Sequence, residues 1–556
     1  MRSAFDGEVS ALERLRRSYR PHVPELLRRD VGGLSVAEGP APAPSGGEGE
    51  IARRFPRTSG RPSLRLVGGG GPARRRALAV GVVLSGGQAP GGHNVITGLF
   101  DRLREVHRES RLHGFLGGPR GIFDGARRLL ERDELDAFRN TGGFDLIGSG
   151  RDKIESPEQL AASAAAVREL ELDGLVVIGG DDSNTNAAVL AEYFLEQGLD
   201  TAVLGVPKTI DGDLKGGPVE ASFGFDTATK VYSELIGNIC RDARSAAKYW
   251  HFIRLMGRSA SHVTLECALQ TRPNIALIGE EVRRNDATLT AVVDGIAEIV
   301  RSRAAEGRSY GVCLVPEGLI EFVPEMRTLI DELNGLLSAA GADGAFEDRR
   351  AAVAGGMGEA SRAVFTALPE RIQRQLLLDR DSHGNVRVSQ IDTELLLTEQ
   401  VARRVATTGA PGVEFRVQSH FFGYEGRCAA PSNFDADYTY GLGRLAATLI
   451  AFERSGYICG LGNLALPRER WIPQAAPLTS MMQIETRKGR PTPVIAKALV
   501  DLDGAPFGSF RESRDAWARE DAYRFPGAIQ YFGPDEVAAS TTATLQLEHG
   551  VSEERS

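Results

Sequence analysis

The chain has 556 residues, 42% of them hydrophobic and 25% charged, with 66 Lys and Arg against 74 Asp and Glu and a formal net charge of −8. That length suggests three or four domain-sized units, or two with extensions. The net acidity and the lack of a large basic block argue against a general binder of nucleic acid or of membrane surfaces, so a positive field at an anion site has to be local.

Residues 1–29 read as an amphipathic helix followed by a turn. Residues 30–76 are rich in Gly, Pro, Ser and Arg, with four glycines in a row at 68–71, and read as an N-terminal extension and linker. From residue 77 the pattern changes to short apolar runs, each ending in a polar, often Gly-rich loop. Leu78–Leu84 leads into SGGQAPGG, Leu175–Ile178 into GGDDSNTNAA and Ala202–Val206 into PKTIDGD. Phe252–Leu255 leads into MGRSASH, Ile275–Ile278 into GEE and Gly311–Val315 into PEGL. Helix-like stretches such as 157–169 and 187–195 lie between them. Short buried strands alternating with helices predict an α/β fold with parallel sheets. In such sheets ligands bind beyond the carboxyl ends of the strands, where these loops fall. The segment 322–405 is helical and charged in pattern, with no recognisable chemistry. No run of about 18 apolar residues predicts a transmembrane helix, and the charged N-terminus lacks the apolar core of a secretory signal. Five widely spaced cysteines without a CxxC pair fit free thiols in a reducing cytoplasm.

The loop Ser85-Gly86-Gly87-Gln88-Ala89-Pro90-Gly91-Gly92 has four glycines in seven residues, which lets the backbone approach an anion closely, and a helix start follows. It lacks the Gly-Lys-Ser/Thr ending of a Walker A loop, and a plain strand-to-helix turn would also use it. The run Gly179-Gly180-Asp181-Asp182 places two adjacent carboxylates after a buried strand, suited to a Mg2+ ion that takes one or two carboxylates plus substrate phosphates. A helix cap needs only one such residue. In Lys208-Thr209-Ile210-Asp211-Gly212-Asp213, one carboxylate can accept the proton of an attacking hydroxyl while Lys208 neutralises a transferring phosphoryl group; the alternative is a solvated surface turn. Met256-Gly257-Arg258, Glu317 and Tyr424-Glu425-Gly426-Arg427 add two arginines suited to phosphate and a carboxylate suited to sugar hydroxyls; each would serve equally as part of an ordinary salt bridge. Lysine usage points to the same region. Of the 66 basic residues only seven are Lys, and four of these, Lys208, Lys215, Lys230 and Lys248, fall in a 41-residue window with only two Arg. Lys is the compact point charge of the two, so the window suggests a tight anionic site.

SGGQAPGGHN, GGDDSNTNA, PKTIDGDL, RLMGRSASH, PEGL and GYEGR occur here in the order of the phosphofructokinase family. The chain resembles that family from about residue 77 to about 505, and within it the long, pyrophosphate-using branch. The resemblance implies two Rossmann-like three-layer α/β domains, a donor domain at 77–245 and a sugar-phosphate domain at 246–510 with a helical insertion at about 322–405, followed by a C-terminal segment at 511–556. It implies reversible phosphoryl transfer from pyrophosphate to the 1-hydroxyl of fructose 6-phosphate in glycolysis or gluconeogenesis, with Mg2+ as cofactor. The chain is then expected to be cytoplasmic, with no nucleic-acid or membrane partner, and a homodimer or larger homo-oligomer sharing its active site.

Residue by residue, the resemblance assigns Gly86, Gly87 and Arg151 to the donor, Asp181 to the metal, Asp211 to the base with Asp213 supporting it, and Asp182 and Lys208 to catalysis at the donor. It assigns Thr209, Ile210, Asp211, Met256, Gly257, Arg258, Glu317, Tyr424, Glu425, Gly426 and Arg427 to the sugar phosphate. ATP-using relatives carry Gly at the positions of Asp182 and Lys208. A carboxylate at 182 would face a nucleotide's α-phosphate, and two like charges about 4 Å apart repel by roughly 4 kcal/mol at an effective dielectric of about 20, about a thousandfold in affinity. Where those relatives carry arginines that reach a neighbouring subunit's sugar phosphate, this chain has Tyr249 and Gln418, so Lys248 and Tyr249 are the expected substitutes.

Overall fold

The computed structural model describes residues 10–340, 344–380, 385–407, 413–487, 490–529 and 539–551. The chain forms two units, both assembled from discontinuous segments. The first holds the described residues up to Ala228, Tyr424–Ala498 and those from Ile529 on; the second holds Thr229–Gly423 and Leu499–Ala528.

The first unit is built on three apolar runs, AVGVVL, GLVVIG and AVLGVPKT, which form the strands Ala79–Leu84, Gly174–Gly179 and Ala202–Thr209 and are buried almost throughout. Continuous burial is what a parallel strand covered on both faces requires. Five strands run parallel in the order Tyr457–Gly462, Ala202–Thr209, Gly174–Gly179, Ala79–Leu84, Arg111–Phe115. Arg127–Leu129 closes one edge antiparallel. Ile472–Pro477, Leu64–Gly68 and Leu34–Glu38 extend the other, also antiparallel. From Ala79–Leu84 the chain passes first to Arg111–Phe115 on one side and then to Gly174–Gly179 on the other. This reversal opens a crevice beyond the carboxyl ends of the two central strands.

Two helices of this unit, Gly92–Val106 and Asn433–Ala451, cross at very close range. A Cβ on Gly98 would lie 2.2 Å from the carbonyl oxygen of Tyr440, and one on Gly443 would lie 2.1 Å from that of Val95. Each glycine makes room for the other helix's backbone.

The N-terminal segment is not a linker. Leu34–Glu38 and Leu64–Gly68 are sheet strands, Glu48–Arg54 is a helix, and Leu27, Leu34, Ile51 and Leu64 are buried. Composition misled because so few apolar residues suffice once each is seated on an existing sheet. The expected boundary at 245/246 also fails to describe the units. Residues 424–498 return to the first unit and supply its strands Tyr457–Gly462 and Ile472–Pro477, while 499–528, which include the helix Ala505–Arg519, belong to the second.

The second unit carries a four-stranded parallel sheet in the order Ile275–Ala276, Gly311–Pro316, Trp250–Leu255, Val417–Phe422. The segment expected as a helical insertion does consist of helices: Pro324–Ala340, Phe346–Ala354, Glu359–Ala367, Glu370–Leu378 and Thr393–Thr407. It is no appendage, since Leu333, Leu376 and Leu397 share one apolar core with Trp250, Phe252 and Val315 of the sheet. Among the described residues no helix is long and apolar enough to cross a membrane.

Candidate active site

In the first unit three loops meet at the carboxyl ends of the central strands. The loop after Ala79–Leu84 begins with Ser85, whose hydroxyl accepts a hydrogen bond from Ser183 at 2.8 Å. Gly86 has φ +83°, in the left-handed region open to glycine. Its N–H donates to the carbonyl of Gly150, and its own carbonyl accepts from Ser149 at 2.6 Å. The backbone N–H of Gly86 is therefore committed and does not face an anion; the glycine contributes space instead. A Cβ there would stand 3.3 Å from the ammonium of Lys208, and a Cβ on Gly87 would stand 2.8 Å from Nη2 of Arg427. The two glycines keep the ground in front of these cations clear.

Asp181 and Asp182 occupy the first turn of the helix Asp181–Glu196. Its cap is Gly180, so neither carboxylate caps the helix. Asp181 pairs with Lys497 at 3.5 Å, and Asp182, half exposed, pairs with Lys153 at 3.3 Å. Lys208 lies inside the strand Ala202–Thr209 and is 6% exposed. Burial pulls its ammonium down to about 8, with Arg427 and Arg151 pushing the same way and Asp211 and Asp181 opposing. Asp211 is held by its N–H on the hydroxyl of Thr209, at 3.0 Å, and Ser222 donates to the carbonyl of Thr209. Ile210 is buried beneath them. Asp213 is buried, and its carboxyl is pushed up to about 7, first by burial and then by the charges of Asp211 and Asp181, with Lys497 opposing. The short helix Tyr424–Arg427 follows; the Arg427 guanidinium lies 5.5 Å from the ring centre of Tyr424, which is largely exposed, as is Glu425, while Gly426 is buried.

A divalent ion fits this end by its chemistry. Asp181 offers a hard, partly exposed carboxylate, and the described residues contain no cluster of three His, Cys, Asp or Glu that would hold an ion without help. Mg2+ is commonly bound in this way, by one or two carboxylates and the substrate's phosphates.

In the second unit Met256, Gly257 and Arg258 follow the strand Trp250–Leu255. Met256 donates its N–H to Phe422, and the N–H of Gly257, whose φ is +137°, donates to Oε2 of the buried Glu317 at 3.2 Å. Gly318 is obligatory here, since its Cβ would lie 1.9 Å from the carbonyl oxygen of Arg258. The Arg258 side chain is exposed. Lys248 and Tyr249 are not brought to this end. They precede the same strand at its amino end, roughly 20 Å away at a strand's rise per residue. Tyr249 lies edge-on to His251, and Gln418 is exposed on the edge strand Val417–Phe422.

The lysine window held one residue of the strand-end cluster in the first unit, Lys208. Lys215 pairs with Glu548 and Lys230 lies on the helix Phe225–Ala246. Two lysines outside the window, Lys153 and Lys497, do reach the carboxylates. Lys497 was missed in the sequence because nothing local marks it; the rarity of Lys in this chain was the one available signal.

The phosphofructokinase family model matches residues 79–450. The chain belongs to the phosphofructokinase family. It is 51% identical to a pyrophosphate–fructose 6-phosphate 1-phosphotransferase of Treponema pallidum, over 97% of this chain and 97% of that one. It is 47% identical to one of Entamoeba histolytica, over 97% and 99%. A pyrophosphate-dependent phosphofructokinase from Marinobacter aquaeolei has a similar fold, with a TM-score of 0.53 at 15% identity over 80% of this chain and 93% of that one.

Proposed function

We propose that this phosphofructokinase-family protein transfers a phosphoryl group from pyrophosphate to the 1-hydroxyl of fructose 6-phosphate, reversibly, with Mg2+ as the ion. The observation that carries the reading is the donor end. By the family resemblance Asp182 would face a nucleotide's α-phosphate with a negative charge, and Lys208, which is buried, takes the position that ATP-using relatives leave as glycine. Near-full-length identity to proteins named for this reaction supports it.

On this reading Gly86 and Gly87 leave room for the donor beside Lys208 and Arg151. Asp181 would hold the ion, which supplies positive charge to the donor's oxygens. Asp211, steadied by Thr209, takes the proton of the sugar hydroxyl. The neighbouring Asp213, held toward its neutral form, keeps a second negative charge away from that base. Fructose 6-phosphate is assigned to Thr209, Ile210, Tyr424, Glu425, Gly426 and Arg427 of the first unit and, separately, to Met256, Gly257, Arg258 and Glu317 of the second. Glu317, fixed by the Gly257 N–H, accepts sugar hydroxyls, and the arginines take the 6-phosphate. Exposed Lys248 and half-buried Tyr249 are assigned to a neighbouring copy's sugar phosphate, in a cytoplasmic homodimer or larger assembly. Catalysis is then mainly positioning and electrostatics.

The test is a coupled assay of fructose 1,6-bisphosphate formation with pyrophosphate or ATP, on the native chain and on a double variant carrying Asp182→Gly and Lys208→Gly. The native chain is expected to use pyrophosphate and the double variant to gain ATP turnover. Strong native turnover with ATP and none with pyrophosphate would overturn the reading.

A further inference from the structure

Lys497 lies beyond residue 450, outside the stretch that matches the family model, and outside every motif that pointed to the site. Its ammonium nevertheless stands 3.5 Å from Oδ2 of Asp181, and its charge is felt at Asp213. The chain around it is fixed residue by residue. The N–H of Ile495 donates to the hydroxyl of Thr185, which itself donates to the carbonyl of Asp181. Ala496 donates to Met481, and Ala498 donates to the carbonyl of Asp213 at 2.7 Å. A strap is thus tied to the start of the Asp181 helix on one side and to the Asp213 loop on the other, with the lysine between them. All of these groups belong to the first unit.

A backbone tie needs no lysine. An Ala at 497 would leave every one of these main-chain bonds in place, so the side chain answers to something else. It is about one-third exposed, as is Asp181, so both still face open space. From these observations we infer that Lys497 is a donor-binding residue: it neutralises Asp181 in the empty protein and binds a phosphate of pyrophosphate in the loaded one. The chemistry favours this. Pyrophosphate has no base or ribose to grip, so its affinity rests on charge-assisted contacts. A cation on Asp181 also competes with the metal for that carboxylate. With Asp181 engaged by an ion, the Lys497 ammonium would be freed to turn toward the donor's phosphates. Lys is the flexible point charge suited to such an exchange.

The inference rests on the donor reading of residues 181–213, and its test separates the two. Lys497→Met and Lys497→Arg are compared with the native chain. One readout is steady-state kinetics with varied pyrophosphate and varied fructose 6-phosphate. The other is calorimetric binding of Mg2+ alone and of Mg2+ with pyrophosphate, without sugar phosphate. Loss of one charged contact to the donor predicts that Lys497→Met weakens pyrophosphate, in KM and in binding, by about ten- to a hundredfold. The fructose 6-phosphate KM should stay within about twofold, and Mg2+ alone should bind as tightly or more tightly, since its competitor is gone. Lys497→Arg should restore most pyrophosphate binding. Unchanged pyrophosphate binding in Lys497→Met would overturn the inference while leaving the donor reading intact, and so would equal weakening toward both substrates, the mark of a loosened strap. A native chain that does not bind pyrophosphate at all would overturn the donor reading itself.

Discussion

Lys208 shows how burial sets the chemistry of a single side chain. Its ammonium is enclosed by the sheet and by Gly86, and its proton is held only to about pH 8. The group is charged below that pH and neutral above it. kcat/KM reports the free enzyme, so kcat/KM for pyrophosphate is expected to fall as pH rises through about 8, and a Lys208→Arg variant, whatever its absolute rate, should lose that limb. A pH profile at saturating Mg2+ checks both. Asp211 is expected to behave differently. Removing a general base in Asp211→Ala should lower kcat by roughly 10²–10⁴, with fructose 6-phosphate binding changed far less; calorimetry of the sugar phosphate on the variant separates the two effects. Most of these residues were legible in the sequence because they are packed into short runs of Gly, Asp and Lys after apolar strands. Lys497 was not, because its relation to Asp181 exists only in three dimensions. What Gly86 contributes was not legible: its N–H is taken by the carbonyl of Gly150, and the residue supplies room beside Lys208.

At the scale of elements, the donor end depends on how closely two helices approach. Gly92–Val106 carries the end of the Ser85 loop, and Asn433–Ala451 follows the Tyr424–Arg427 turn. Asp435 on the second helix accepts hydrogen bonds from the N–H of Gly224, the N–H of Thr227 and the hydroxyl of Thr227, which fixes the chain beyond the 209–213 loop. Gly98 and Gly443 set the separation, each opposite a carbonyl of the other helix. A methyl group there pushes on backbone, which cannot rotate away. Gly98→Ala is expected to destabilise the protein by about 1–3 kcal/mol, the usual cost of overpacking, as measured by chemical denaturation. A loss below about 0.5 kcal/mol would mean that the helices separate freely. Neither glycine stood out in the sequence; their reason is tertiary.

At the scale of the whole molecule, the strand–loop–helix rhythm from residue 77 correctly announced parallel α/β sheets. What it concealed was connectivity. Residues 34–68 carry too few apolar side chains to form a core alone, yet they extend a sheet whose other strands already bury them. Residues 424–498 belong with the first unit because the strand Tyr457–Gly462 pairs with Ala202–Thr209, a partner more than 200 residues earlier that no local pattern can announce. The strand-end cluster of the first unit draws on this return path, since Arg427, which faces Gly87, and Lys497, which pairs with Asp181, both lie on it. The central claim is that this donor end is built for pyrophosphate. The most direct measurement is 31P NMR of the purified full chain with Mg2+, fructose 6-phosphate and an equimolar mixture of pyrophosphate and ATP. The pyrophosphate signal should be replaced by inorganic phosphate and a sugar 1-phosphate signal in equal amounts while ATP persists. Conversion of ATP to ADP with pyrophosphate left intact would contradict the account.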